Sequence, residues 1–224
     1  MSPVVGPPGT YAGVANVLAV LILLTEFAML RASLLRAQMR LYAAQSFIVS
    51  ALAAVVAWGR DVPELYVLAA LSLALKVIVV PWVVTRQMRE TRTEIAASAS
   101  FGVATEVLLA VVVAAFGFFA TSRFHIASPA LPTTALGLAV AVVAVSFVLM
   151  IVRRDVVSQA VGFFSLENGV SLASLVVAAG LPLILEVAFL FDLLIAVVVF
   201  GVLMKVHHQR AKTLSTEHLT KLRG

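Results

Sequence analysis

Residues 65–85 read LYVLAALSLALKVIVVPWVVT. The run is continuous rather than alternating, so it does not fit a half-buried strand. At 21 residues it is long enough to cross a hydrocarbon layer of roughly 30 Å as a helix. Composition settles whether such a run is a soluble core or a membrane span. The chain has 224 residues, 62% hydrophobic and 12% charged, with a mean hydropathy of +1.09. A soluble domain carries roughly 25% charged residues. The sequence therefore describes an integral membrane protein, with room for about seven spans of ~20 residues.

Outward from this run, comparable apolar stretches occupy 11–31, 41–58, 99–120, 133–152, 156–178 and 183–205. Their continuity excludes a barrel of alternating strands and predicts an all-α bundle of about seven transmembrane helices. The connections, such as GRDVPE, RRD and AGLP, are short, as neighbouring antiparallel helices require. A single membrane domain over 1–205 and a short tail over 206–224 account for the whole length.

The basic residues orient the bundle. Arg31, Arg36 and Arg40, Arg86, Arg89 and Arg92, Arg153 and Arg154, and the tail's Lys205, Arg210, Lys212, Lys221 and Arg223 all fall on one side. The opposite side has Arg60 and Arg123. The positive-inside rule then predicts an outer N-terminus, a cytoplasmic tail and a multi-pass protein of the cell's inner (cytoplasmic) membrane. The net charge of +5 and pI near 10.1 are thus a topology signal and imply no nucleic acid. Trp58, Tyr11 and Tyr66 are expected as anchors at outer helix ends, and Tyr42 and Trp82 at inner ends. The segment 31–40 is expected to form an interfacial helical turn whose arginines meet anionic lipid. MSPVVGPPGTYAG has neither the basic start nor the cleavage site of a signal peptide and reads as retained.

With no cysteine, the chain can supply no thiolate-bound iron–sulfur cluster, zinc thiolate site or disulfide. His125, His207, His208 and His218 lie outside the apolar cores, which argues against haem ligation within the membrane. No cofactor is expected in this chain.

The candidate functional residues are the charges that interrupt the spans. Lys76 is the twelfth residue of its 21-residue span, near the bilayer midplane, with Ser72 one turn away. Pro81 follows and displaces the hydrogen bond to the Val77 carbonyl. Glu167, in FFSLENGVSLASL (163–175), and Asp192 are near the centres of the sixth and seventh stretches, and Ser171 and Ser174 extend the Glu167 face. Glu26 and Glu106 lie toward the inner ends of their spans, where snorkelling is expected, and Glu186 lies toward an outer end. Each charge at mid-span costs roughly 2.5–3.5 kcal/mol. Low dielectric disfavours the charged form of either sign, so such groups stand ready to exchange protons. The residues admit two readings: structural ion pairs between helices, or a proton path through Lys76, Glu167 and Asp192 with Glu26, Glu106 and Glu186 as further members. Asn168 is expected to donate a hydrogen bond between helices.

The C-terminal third resembles the small three-helix subunit of complex I, NuoK, and its Mrp antiporter counterpart, MrpC. MIVRRD (150–155) ends one helix, SLENGVSL carries Glu167 on the next, and Asp192 follows on a third, over 133–205. The whole chain resembles hydrogenase-4 component E of group 4 membrane-bound hydrogenases. TEFAML (25–30), YAAQS (42–46), LKVIVVPW (75–82), LENG (166–169) and LPLILEVAFLFDLLIAVVVFG (181–201) carry that likeness. Asp192 stands where the complex I subunit typically has Glu.

The resemblance implies a non-catalytic membrane-arm subunit of a complex I-like or hydrogenase complex, its buried charges aiding proton translocation. It also implies antiporter-like and NuoH-like membrane partners, with iron–sulfur clusters and the nickel–iron centre in other subunits. The residues by themselves leave two alternatives: a free-standing ion-coupled secondary transporter, or a purely structural assembly subunit.

Overall fold

The computed structural model describes residues 9–60, 63–91, 95–96, 101–122, 131, 133–177 and 183–211. Its elements are α1 (Gly9–Arg31), α2 (Leu35–Arg60), α3 (Glu64–Ser72), a π-helical segment (Leu73–Val79), α4 (Val80–Thr91), α5 (Val103–Thr121), α6 (Thr133–Val152), α7 (Val156–Val177) and α8 (Leu183–Ala211). The described residues are helical apart from short connections, one of which holds an isolated antiparallel bridge between Leu34 and Ile95. Six helical stretches are long and apolar enough to cross a membrane: Gly13–Arg31, Leu35–Gly59, Glu64–Arg89, Val103–Thr121, Thr134–Val152 and Val156–Val177. The seventh apolar stretch of the sequence falls within α8.

Local chemistry fixes the helix ends. Asp155 caps α7, its Oδ1 accepting the Ser158 backbone N–H at 2.7 Å. Gln38 on α2 donates to the Ala32 carbonyl past the end of α1 at 3.0 Å and accepts from the Ser158 hydroxyl at 2.8 Å. One amide thus ties α1, α2 and α7 together. Within the segment 31–40, where an interfacial helical turn is expected, residues 35–40 are the first turns of α2. α1 runs to Arg31 and α2 begins at Leu35, so the arginines of this segment sit on ordinary helix ends.

α1 packs on α2 and α6, α2 on α7, and α6 on α7, with α5 against the outside of α6. The α6–α7 seam is close because it is built on glycine. A Cβ on Gly162 would stand 2.7 Å from Met150 Cγ, and one on Gly169 would stand 2.8 Å from Val143 Cγ2. α3, the π segment and α4 run along the far side of α2, and α8 rests on α4 and α7.

The interior is layered. One apolar cluster at the arginine-rich end includes Met29, Leu35, Met39, Tyr42, Val84, Met88, Leu149 and Phe164. A second, at the other end, includes Ala19, Ile22, Leu52, Val56, Leu65, Leu136, Leu172 and Leu175. Buried polar residues fall between them on each central helix: Glu26 on α1, Gln45 and Ser46 on α2, Ser146 on α6, Ser165 and Asn168 on α7, and Lys76 on the π segment. Tyr42 does not act as an interfacial anchor. It is fully buried, its ring 5.7 Å from that of Phe164. Trp58, Tyr66 and Trp82 are exposed, as anchors should be, and the Tyr11 side chain lies outside the described residues.

Candidate functional site

The site begins with a break in helix geometry. Proline has no N–H to offer, so Pro81 leaves carbonyls one turn earlier without a helical donor. The effect is wider than the single carbonyl predicted at Val77. Leu73–Val79 takes up π-helical winding, and the Val80 N–H bonds the Leu75 carbonyl five residues back. Lys76 lies in the middle of this segment.

Its ammonium makes an ion pair of 3.0 Å with Glu167 Oε1, the lysine side chain 1% exposed and the glutamate 12%. Lys76 Nζ also donates to Asn168 Oδ1 at 3.3 Å and to Ser171 Oγ at 3.2 Å. Glu167 is less well held. Apart from this ion pair, neither of its oxygens has a hydrogen-bond partner among the described residues. Glu167 is one wall of a cavity of ≈ 30 Å³ lined also by Ser50, Ser72, Lys76, Ser171 and Ser174. That volume suits roughly two water molecules. Ser50 and Ser72 bond each other at 3.2 Å, and Ser174 Oγ is buried without a partner among the described residues. The wall thus joins four hydroxyls, one ammonium and one carboxylate to the apolar side chains of Val49, Ala53, Leu68 and Leu175.

From Lys76 a chain of hydrogen bonds runs to a second acid. Asn168 Nδ2 donates to Gln45 Oε1 at 3.0 Å and to Ser46 Oγ at 2.9 Å. Gln45 Nε2 donates to Glu26 Oε2 at 2.9 Å. The Ser146 hydroxyl reaches Glu26 Oε1 at 3.1 Å, and Ser165 makes a short bond to Oε2. The expected snorkelling of Glu26 does not occur, because α2, α6 and α7 enclose it and supply its partners. Asn168 acts as the predicted interhelical donor and also accepts from the lysine.

Glu106 is also buried rather than snorkelled, 1% exposed in the first turn of α5. It lies within electrostatic reach of Arg153 and Arg31, while Arg153 donates to the Leu30 carbonyl. Glu106 thus belongs to an arginine-rich knot at the helix ends, away from the Lys76 layer. Asp192 is exposed on α8 and bears on Glu167 as a like charge. The side chain of Glu186 lies outside the described residues, as do those of all four histidines.

Gln45, Ser46, Ser146 and Ser165 were not marked by sequence reasoning as members of the layer. A signal existed: Gln38, Gln45, Ser46 and Ser50 are neutral polar residues that recur along α2 and are all buried. Among the described residues no cluster of His, Asp or Glu has the grouping of a metal site.

Comparison with known proteins gives a full-length relative. Over 211 residues, 94% of this chain and 98% of the relative, the sequence is 25% identical to hydrogenase-4 component E of Escherichia coli, with the same figures for the Shigella flexneri protein. An uncharacterized protein of Mycobacterium tuberculosis is 33% identical over 132 residues, a match that spans 60% of that protein and 58% of this chain. No family model and no solved structure matches the chain. The component E likeness is distant, runs nearly end to end, and supports the hydrogenase-4 component E family.

Proposed function

We propose, on the strength of its full-length likeness to hydrogenase-4 component E, that this chain is a non-catalytic membrane subunit of a hydrogenase or related complex I-like assembly. Its buried charges take part in proton translocation driven by redox chemistry elsewhere. The bundle is a seven-span protein of the cytoplasmic membrane, α8 being the seventh span, with its N-terminus outside and its tail in the cytoplasm. The last three helices form the NuoK-like part. Iron–sulfur clusters and the nickel–iron centre belong to partner subunits.

The observation that carries this reading is the placing of Glu167. It is a carboxylate at mid-bundle, paired with Lys76 at 3.0 Å and lining a cavity that suits roughly two waters. A carboxylate with room for water and a counter-charge beside it can accept a proton, neutralise, and return it when the lysine or a neighbouring charge shifts. Asp192 supports the partner half of the reading. It is exposed among Phe191, Leu194, Ile195 and Val198, all exposed as well. Facing lipid it would cost roughly 2.5–3.5 kcal/mol at mid-span. An antiporter-like or NuoH-like membrane subunit seated on α8 removes that cost and continues the path from Glu167.

The test is Glu167→Gln and Asp192→Asn in the purified complex, with redox turnover and proton pumping measured separately. Reduced pumping at retained turnover is expected, and full pumping in both variants would end the proposal. A structural reading has its own support, since Lys76 has three partners at ordinary distances. It predicts that the same variants lower assembly yield and leave pumping per assembled complex unchanged.

A further inference from the structure

We infer that the groove between α2 and α4 at the arginine-rich end of the bundle binds the headgroup of an anionic phospholipid. The groove has a volume of ≈ 210 Å³ and is lined by Arg36, Met39, Arg40, Ala43, Pro81, Thr85 and Arg89. Helical spacing sets its walls. Arg36 and Arg40 are one turn apart on α2, with Met39 and Ala43 a matching pair beside them. On α4, Pro81, Thr85 and Arg89 rise in successive turns and face them across the gap.

This arrangement is graded along the helix axes. α2 begins at Leu35 and α4 ends at Thr91, so the arginines lie toward the mouth while Ala43 and Pro81 lie deeper in the bundle. Charge at the mouth and apolar surface below it match a phospholipid, whose phosphate sits above its glycerol and acyl chains. Guanidinium groups present planar forks suited to phosphate oxygens. Basic pockets between spans on the arginine-rich side are where anionic headgroups collect. No carboxylate is among the groove's described lining residues.

Trp82, on the same stretch of α4, marks the depth independently. It is exposed, and the Arg86 guanidinium lies 5.6 Å from its ring centroid. A tryptophan so placed, level with Pro81, belongs at the lower edge of the interface, just beneath the headgroups. The inner apolar half of the groove favours lipid over free phosphate. Its reach below the interface favours lipid over an acidic soluble protein.

The experiment uses the full chain, extracted and stripped of lipid, with native mass spectrometry of bound phosphatidylglycerol against phosphatidylcholine. Phosphatidylglycerol should be retained preferentially, and R40Q/R89Q should weaken that retention by roughly tenfold or more, reflecting the loss of two interfacial cations. R40K/R89K should keep much of it. If the double variant does not elute as a folded species, Arg40→Gln and Arg89→Gln carry the test separately, each expected to lose part of the preference. Equal retention of the two lipids, or unchanged retention in folded variants, overturns the inference. So does displacement of phosphatidylglycerol by millimolar inorganic phosphate, which would assign the site to the free anion. Loss of a co-extracted protein from R40Q/R89Q with lipid retention intact also overturns it, in favour of a protein interface.

Discussion

Lys76 and Glu167 meet at 3.0 Å, yet only the lysine has further support: Asn168 and Ser171 take its remaining donors, whereas neither glutamate oxygen has a partner other than Lys76 among the described residues. The asymmetry predicts unequal responses to neutralising each partner. Lys76→Met strands a carboxylate with no other support and should cost about 3–5 kcal/mol, the range for breaking a buried pair. Glu167→Gln leaves the ammonium with two partners and should cost less. The double variant should recover part of the loss. Unfolding of the purified protein in mixed detergent gives the cycle, and equal single costs would contradict the asymmetry.

Asn168 is the junction through which Lys76 meets the Glu26 cluster. Asn168→Leu removes the lysine's acceptor and the donor that reaches Gln45 and Ser46. A destabilisation of about 1–3 kcal/mol is expected from groups left unpaired in a closed interior. Ser171→Ala, which removes one contact beside the cavity, should cost well under half as much.

Pro81 should control where Lys76 points. Pro81→Ala restores a backbone donor, allowing Leu73–Val79 to return to α-helical winding and turn Lys76 out of its present direction. The expected outcome is a Lys76–Glu167 coupling energy near zero when the double-variant cycle is repeated in the Pro81→Ala background. A coupling unchanged from the parent would show that the π segment does not depend on the proline.

Two glycines should answer in opposite ways to a single methyl group. Gly169→Ala places its Cβ 2.8 Å from Val143 Cγ2 and 3.1 Å from the Val143 backbone nitrogen, so the α6–α7 seam must open, at about 1–3 kcal/mol. Gly13→Ala meets nothing within 4 Å and should be neutral or stabilising by about 0.4–1 kcal/mol. Thermal unfolding of the two variants side by side makes the comparison.

The orientation can be read chemically because the chain has no cysteine of its own. A membrane-impermeant maleimide applied to spheroplasts should label Ser2→Cys and spare Ser215→Cys until the membrane is permeabilised. The reverse pattern would invert the topology assigned from the arginines.

The helices were legible because unbroken apolar runs of span length leave few other structures open. Lys76, Glu167 and Asn168 were legible for a related reason: an ion or amide in such a run is costly enough to stand out. Gln45, Ser146 and Ser165 were harder to find, since neutral polar residues are cheaper in a span and their role depends on which helices become neighbours. Glu26 was misjudged on depth alone. Its position along α1 suggested an escape to the interface, but α2, α6 and α7 close over it. Tyr42 went the same way, drawn inward by Phe164. Pro81 announced a disturbance, though its spread over Leu73–Val79 depends on how the surrounding helices receive Lys76.

Gln45 and Asn168, the amides between Glu26 and Lys76, have a consequence of their own. A carboxamide gains a proton only in strong acid and loses one only in strong base, so it cannot hand a proton along. It can turn over. If Gln45 swings its oxygen toward α1, the Asn168 nitrogen loses one of its two acceptors and keeps Ser46, and a matching turn of Asn168 withdraws its oxygen from the lysine. The link therefore works as a capacitor rather than a wire. The state of the acid on α1 is registered at the ammonium on the far side of α2 by displaced dipoles, while no charge crosses the gap between them.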